Sequence, residues 1–273
     1  MQIVSSGVSD VGRVRTNNED SFRIIEQQNL FILSDGMGGE AHGEVASSMA
    51  VETLVKSCTD TAGSKQDPGA TLAGTAPDNW APQTKKLQRA VFAANEAIYR
   101  SAQAHPEQRG MGATLTAGWV NGSKLSLAHV GDSRAYLLRA GGLQQLTSDH
   151  SLVAEQVRRG IITLQQAEES DMQSVLLRAL GAHADVDVDM EEVELMPSDV
   201  LLLCSDGLTR MVTEPEIAGL LQSETNPAAA AQKLVDLANE RGGLDNVTVV
   251  VARVQEENKG WFSWLRRDSG RKE

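Results

Sequence analysis

An α+β sandwich is the fold class this 273-residue sequence predicts, and three observations predict it. Residues 113–138 hold three short apolar runs in succession, and Asn121-Gly122 between the first two is a strong hairpin-turn signal. Segments with helical spacing come in pairs set apart from those strands, Gly43–Cys58 with Lys85–Gln103 and Glu214–Gln222 with Pro227–Arg241. Strand and helix do not alternate regularly, as a parallel βαβ sheet would require.

Taken in order, residues 2–8 and 21–33 read as strands. Between them lies Asp10–Asp20 (D-V-G-R-V-R-T-N-N-E-D), a polar loop with two arginines and two acids at its end. Leu30–Leu33 is an apolar run that stops at Asp35, and three of the next four residues are glycine. Gly43–Cys58 spaces Val45, Ala46, Met49, Leu54 and Val55 as a helix would. Asp60–Pro82, rich in Gly, Pro, Thr, Ala and Asp, reads as a long loop. Lys85–Gln103 then carries Leu87, Val91, Ala94 and Ile98 on one helical face. The strand block is Ala113–Val120, Lys124–Val130 and Arg134–Leu138. Residues 148–180 are polar, helix-prone and poor in core side chains, as suits a mobile flap. Val186–Val193 and Val200–Cys204 return to strand, and Val247–Val254 is the last one. The size of residues 1–255 suits one large domain or two small ones, with the flap at 148–180 and a separate tail at 256–273.

Bulk composition narrows the function classes. Lys plus Arg number 25 against 37 Asp plus Glu, a net charge of −12, so no nucleic-acid partner is expected. An anionic substrate would need a local source of positive charge. Cys58 and Cys204 lie in apolar segments and form no C-x-x-C, which reads as two reduced core cysteines. No signal-peptide pattern is visible, and no apolar stretch approaches the roughly 20 residues that span a bilayer. A cytoplasmic protein is the expectation.

Four aspartates stand out. Asp35 ends the run L-F-I-L-S, Asp132 follows Leu125–Gly131, Asp206 follows Val200–Ser205, and Asp245 opens Val247–Val251, each with glycine nearby. Each taken singly, strand–Asp–Gly is how ordinary turns begin. Repeated four times at strand ends, it suggests carboxylates converging on one rim, where mutual repulsion calls for a cation. An all-oxygen set favours a hard ion, Mg²⁺ or Mn²⁺. Gly36 has no Cβ, so its own carbonyl could approach the same ion. Glu19 and Asp20 add two acids close to Arg15, whose guanidinium suits a phosphate dianion.

Together these stretches resemble the metal-dependent protein serine/threonine phosphatases, the type 2C family, in its bacterial form. The resemblance rests on R-T-N-N-E-D (Arg15–Asp20), L-S-D-G-M-G-G (Leu33–Gly39), G-A-T-L (Gly112–Leu115) and H-V-G-D-S-R-A-Y (His129–Tyr136). It continues through L-T-S-D-H-S-L-V (Leu146–Val153), R-A-L-G (Arg178–Gly181), C-S-D-G-L-T (Cys204–Thr209) and D-N-V-T (Asp245–Thr248). These run in the family's order over almost the whole chain apart from the tail.

The resemblance implies a four-layer α-β-β-α sandwich of two antiparallel sheets, with helices on both outer faces and a two-metal centre at one end. It implies that Asp35 bridges two Mg²⁺ or Mn²⁺ ions, that the Gly36 carbonyl binds one of them, and that Asp206 and Asp245 complete the other. Glu19 and Asp20 are expected to hold metal-bound waters, Arg15 to grip the substrate phosphate, and Asp132 with Asp206 to offer a third ion position. The implied reaction is hydrolysis of phosphoserine and phosphothreonine in proteins by a metal-bridged water, reversing serine/threonine kinase signalling. Phosphorylated proteins and a cognate kinase are the expected partners, and the protein is expected to be a monomer.

Two departures matter. Met37 occupies the place of a histidine proposed as the general acid in eukaryotic relatives, so a metal-bound water rather than His42 is the expected proton donor. Asp171-Met172 stands where many bacterial members carry His-Pro.

Two rival classes are carried. Gly36–Ala41 also fits the G-x-G-x-x-A dinucleotide fingerprint, though Asp35 would push a carboxylate toward the pyrophosphate. The other rival, an inactive phosphoprotein-binding module, would be expected to lack a metal ligand, and none is missing. Ala184–Glu191 hints at a calcium loop but alternates strictly, as an edge strand with a charged solvent face does. Within the tail, Lys259–Glu273 holds Trp261, Phe262, Trp264 and Leu265. It also has five basic and two acidic residues, a net of +3 where the remainder carries −15. That composition suits contact with a membrane surface or an acidic partner.

Overall fold

Apolar runs that bury both faces build two sheets in this computed structural model, which describes residues 1–38, 42–60, 77 and 79–255. The strands are β1 (Gln2–Asp10), β2 (Asp20–Ile25), β3 (Leu30–Met37), β4 (Gly112–Ala113), β5 (Leu115–Asn121) and β6 (Lys124–Val130). They continue with β7 (Arg134–Arg139), β8 (Gly142–Gln145), β9 (Asp189–Glu194), β10 (Val200–Cys204) and β11 (Val247–Gln255). One sheet has the order β1-β11-β10-β7-β8; the other runs β2-β3-β5-β6-β9, with β4 added beside β3. All pairings within them are antiparallel.

The period-2 alternation of strand side chains divides these runs between layers. Phe31 and Leu33 of β3, Leu201 and Leu203 of β10, and Val250 and Ala252 of β11 meet in a core between the sheets. Leu30 and Ile32 point the other way, into a core made with α1 (His42–Thr59) and α2 (Pro82–Ala104). Leu202, Cys204, Val249 and Val251 face α6 (Glu214–Ser223) and α7 (Pro227–Glu240) on the opposite side. Helix, sheet, sheet and helix therefore stack as four layers, the architecture the resemblance implied. Cys58 and Cys204 are free and buried in different layers, and burial pushes both thiols up to about 12.

Several boundaries differ from expectation. Residues 21–33 are not one strand: Asn29, with φ at 49°, closes a short 3-10 turn at Glu26–Gln28 and folds β2 back on β3. Asp35 does not end its strand. β3 continues to Met37 because Asp20 pairs with Asp35 on one side and Gly36 pairs with Ala113 on the other. The strand expected at Val186–Val193 begins at Asp189, opposite His129, close to where β6 finishes. It is the edge strand that its alternation suggested, although Val186, Val188 and Met190 pack on the helix-side core. β8 was not anticipated. Within 148–180 lie two short helices, α3 (Leu152–Arg158) and α4 (Leu164–Glu168). Most of the loop expected at Asp60–Pro82, the Gly39–Ala41 end of the dinucleotide fingerprint, and the tail at 256–273 lie outside the described residues. Among the described residues the fingerprint's context is absent: the next helix after α1 is α2, and no parallel strand pairs with β3.

Candidate metal centre

The ladder between β2 and β3 sets Asp20 directly across from Asp35, and Glu19 one residue before it. Thr114, in the break between β4 and β5, locks Asp35 in place. Its Oγ1 accepts from the Asp35 N–H at 2.9 Å, and its own N–H donates to the Asp35 carbonyl at 2.8 Å. Asp132 sits in the β6–β7 turn after Gly131, whose φ of 112° suits glycine. Asp206 is the first residue of α5 (Asp206–Thr209), a single turn that follows β10. Asp245 precedes β11, and the neighbouring Asn246 ties the Arg15 loop down. Its side chain accepts from the Glu19 N–H at 2.8 Å and donates to the Val11 and Asn17 carbonyls at 2.9 Å each.

These ends converge on one cavity of about 380 Å³. Arg15, Glu19, Asp35, Gly36, Asp132, Asp206 and Asp245 all line it. Asp20 does not. It lies behind the wall, where its Oδ2 accepts from Ser205 Oγ at 2.8 Å and Thr248 Oγ1 at 2.6 Å. Met37 lines the cavity and His42 does not.

Burial, reinforced by neighbouring carboxylates, raises the affinity of this cluster for protons. Asp35 is driven well above the ordinary carboxylate range by burial and then by Asp20, Asp206 and Asp132. Burial and Asp206 push Asp132 up to about 8, and burial pushes Asp20 up to about 7. Burial also raises Glu19 and Asp206. Positive charge comes from two arginines. Arg15 donates to Asp245 Oδ2 at 2.9 Å, and Arg210 reaches Asp206 Oδ2 at 2.5 Å and Asp245 Oδ2 at 3.6 Å.

The donor set fits a hard divalent cation. Its side-chain donors are all oxygens, and Asp206 Oδ1 is buried with no hydrogen-bond partner, a costly arrangement unless something positive meets it. Among the described residues no three such side chains already gather closely enough to enclose an ion.

Known proteins of similar sequence and structure place the chain in a family. Residues 12–240 match the family described as Protein phosphatase 2C. The chain belongs to that family. It is 39% identical over 255 residues to the serine/threonine phosphatase stp of Listeria innocua, covering 92% of this chain and 96% of that one. It is 41% identical over 252 residues to the serine/threonine protein phosphatase PstP of Mycobacterium tuberculosis, covering 92% of this chain and 45% of that longer one. The crystal structure of the M. tuberculosis phosphatase PstP/Ppp superposes with a TM-score of 0.81 at 39% identity, covering 94% of this chain and 100% of that one. A structure of the PstP catalytic domain in complex with two manganese ions gives 0.78 at 39% identity, covering 93% and 99%. The chain is a protein serine/threonine phosphatase, a metal-dependent hydrolase with bacterial homologues.

Some residues that shape the phosphatase's site were not singled out from sequence. Thr114, Asn246, Ser205 and Thr248 all sit inside stretches that carried the resemblance, yet their bonds run between distant segments. Arg210 had a readable signal: on a helix it falls one turn after Asp206. Gly36 has a packing reason to be glycine as well. A Cβ there would stand 2.0 Å from the Gly43 carbonyl oxygen, so the glycine is required by the approach of α1 to β3.

Proposed function

We propose that this phosphatase binds two Mg²⁺ or Mn²⁺ ions through Asp35, the Gly36 carbonyl, Asp206 and Asp245, with a third position at Asp132 and Asp206. When bound, the ions supply a nucleophilic water at neutral pH and the charge that stabilises the phosphoryl oxygens. Arg15 grips the phosphate. Its side chain is about half exposed at the cavity mouth, and Asp245 aims it and holds it charged. Glu19 takes a water-holding place on the wall, fixed through the Asn246 bond to its backbone. Asp20 supports Asp35 from behind and keeps an unpartnered Oδ1 for the same purpose. Met37 offers no proton, so the leaving alkoxide draws its proton from water in the cavity.

The observation that carries this reading is the convergence of seven separately predicted residues on one cavity, with Asp206 Oδ1 left unpartnered inside it. The physiological reading extends further. The substrates are phosphoproteins made by a cognate serine/threonine kinase, and the enzyme works as a cytoplasmic monomer. Residues 1–255 form the catalytic unit and 148–180 its flap. Among the described residues, no helix is long and apolar enough to cross a membrane. The aromatic and basic residues of 256–273 supply a membrane-surface or protein contact; deletion of 259–273 should lower membrane recovery or activity on a protein substrate.

The deciding experiment is phosphate release from a phosphothreonine peptide against added Mn²⁺, with Asp206→Asn alongside. Release that needs metal, stops with EDTA and is lost in the variant is expected. Equal, metal-dependent release by Asp206→Asn would remove Asp206 from the centre.

A further inference from the structure

We propose that Arg210 competes with the divalent ion for Asp206 and Asp245, so that metal loading of this phosphatase is an exchange of one cation for another. The inference rests on the reading of those two aspartates as ligands.

Arg210 is placed by the chain just after Asp206. The single turn of α5 carries it four residues on, with its N–H donating to the Asp206 carbonyl at 2.9 Å, so its side chain folds back over the residue that starts the helix. That side chain is only 26% exposed and lies in the cavity wall. One nitrogen stands 2.5 Å from Asp206 Oδ2 and another 3.6 Å from Asp245 Oδ2. The latter oxygen also receives Arg15 at 2.9 Å.

An oxygen that ligates Mg²⁺ or Mn²⁺ does so at about 2.1 Å. A guanidinium nitrogen at 2.5 Å from Asp206 Oδ2 and a divalent ion on the same oxygen would put like charges nearly in contact. Even at the unpartnered Oδ1, the ion would feel the Arg210 charge across one carboxylate. In a cavity of restricted dielectric that repulsion is large compared with thermal energy. Arg210 and the ion therefore neutralise the same carboxylates, and each weakens the hold of the other. Arg15 is not in the same position. It touches Asp245 from the cavity mouth and is half exposed, so it can turn toward an incoming phosphate.

The test reads metal binding directly, with no substrate present. Mn²⁺ is titrated by calorimetry into folded wild-type protein, Arg210→Gln, Arg210→Lys and Asp206→Asn. Arg210→Gln should bind Mn²⁺ at least about tenfold more tightly than wild type. Arg210→Lys, which keeps the charge, should stay within about threefold of wild type. Asp206→Asn should lose most of the binding. An Arg210→Gln affinity equal to or weaker than wild type, with Asp206→Asn still defective, would overturn the exchange while leaving the ligand assignment standing. Wild-type binding retained in Asp206→Asn would remove the assignment and the exchange with it. Should Arg210→Gln fail to fold, the wild type decides: the Arg210 Nε–Hε resonance, assigned through Arg210→Lys, should shift and saturate with Mg²⁺. A resonance that ignores saturating Mg²⁺ would overturn the exchange.

Discussion

Gly36 is held to glycine by backbone, not by chemistry. A methyl there would meet the Gly43 carbonyl at 2.0 Å and the Glu19 carbonyl at 2.8 Å, neither of which can yield like a side chain. Gly36→Ala should destabilise the protein by about 2–3 kcal/mol or more in urea unfolding and move Glu19 out of place. A titrating residue makes a separate prediction. His129 is buried in a packed cluster with His150, ring centroids 4.8 Å apart, and faces Asp149 and Asp189. Burial first, and His150 second, lower it to about 4. The unfolded chain takes up a proton near pH 6.5 and the folded chain only near 4, so stability falls as pH drops through that window. The full loss is about 3 kcal/mol, and it should be absent in His129→Asn when melting is followed from pH 7 to 4. Asp132, Asp206 and Asp245 were legible as strand-end carboxylates, and Asp35 as a carboxylate of the same set although its strand runs on to Met37. Asn246 and Thr248, which fix Glu19 and Asp20, were not, because a hydrogen-bond partner over 200 residues away leaves no spacing to read.

At the scale of elements, the segment 148–180 is tied to the rest of the fold near both ends. His150 N–H donates to the Gly131 carbonyl at 2.7 Å, Leu177 N–H returns to His150, and Leu180 exchanges backbone bonds with Ala113. Arg178 adds an ion pair with Asp189 at 3.0 Å. Between these anchors Ile161, Leu164, Met172, Val175 and Leu177 expose large apolar side chains, while Ser174 and Leu176 face the cavity. Apolar surface beside a site for phosphoproteins is suited to gripping residues that flank the phosphate. Changing Met172, Val175 and Leu177 together to Ser should cut kcat/KM on a phosphoprotein on the order of tenfold. Turnover of p-nitrophenyl phosphate should stay unchanged. Polar composition pointed to this segment from sequence. Its two short helices and its anchors did not show, since the bonds that define them are made to other elements.

The whole molecule is two sheets whose shared core must hold if the rims are to meet. Leu203, fully buried between the sheets, lies just before the turn that carries Asp206. Leu203→Ala should cost about 2–5 kcal/mol in urea unfolding and weaken Mn²⁺ binding as well, because the cavity it leaves loosens the strand end. What sequence alone determined was the inventory: apolar runs long enough to be strands buried on both faces, helical pairs to cover them, and carboxylates at the strand ends. Those features are local, and period and punctuation carry them. The tertiary structure decided which carboxylates share a cavity. It kept Asp20 behind the wall, ran β3 through Asp35 to Met37 and folded Arg210 back over Asp206 and Asp245. Those outcomes depend on pairing register and on charges brought together from distant segments. The free energy of such contacts exists only once the sheets have closed on each other.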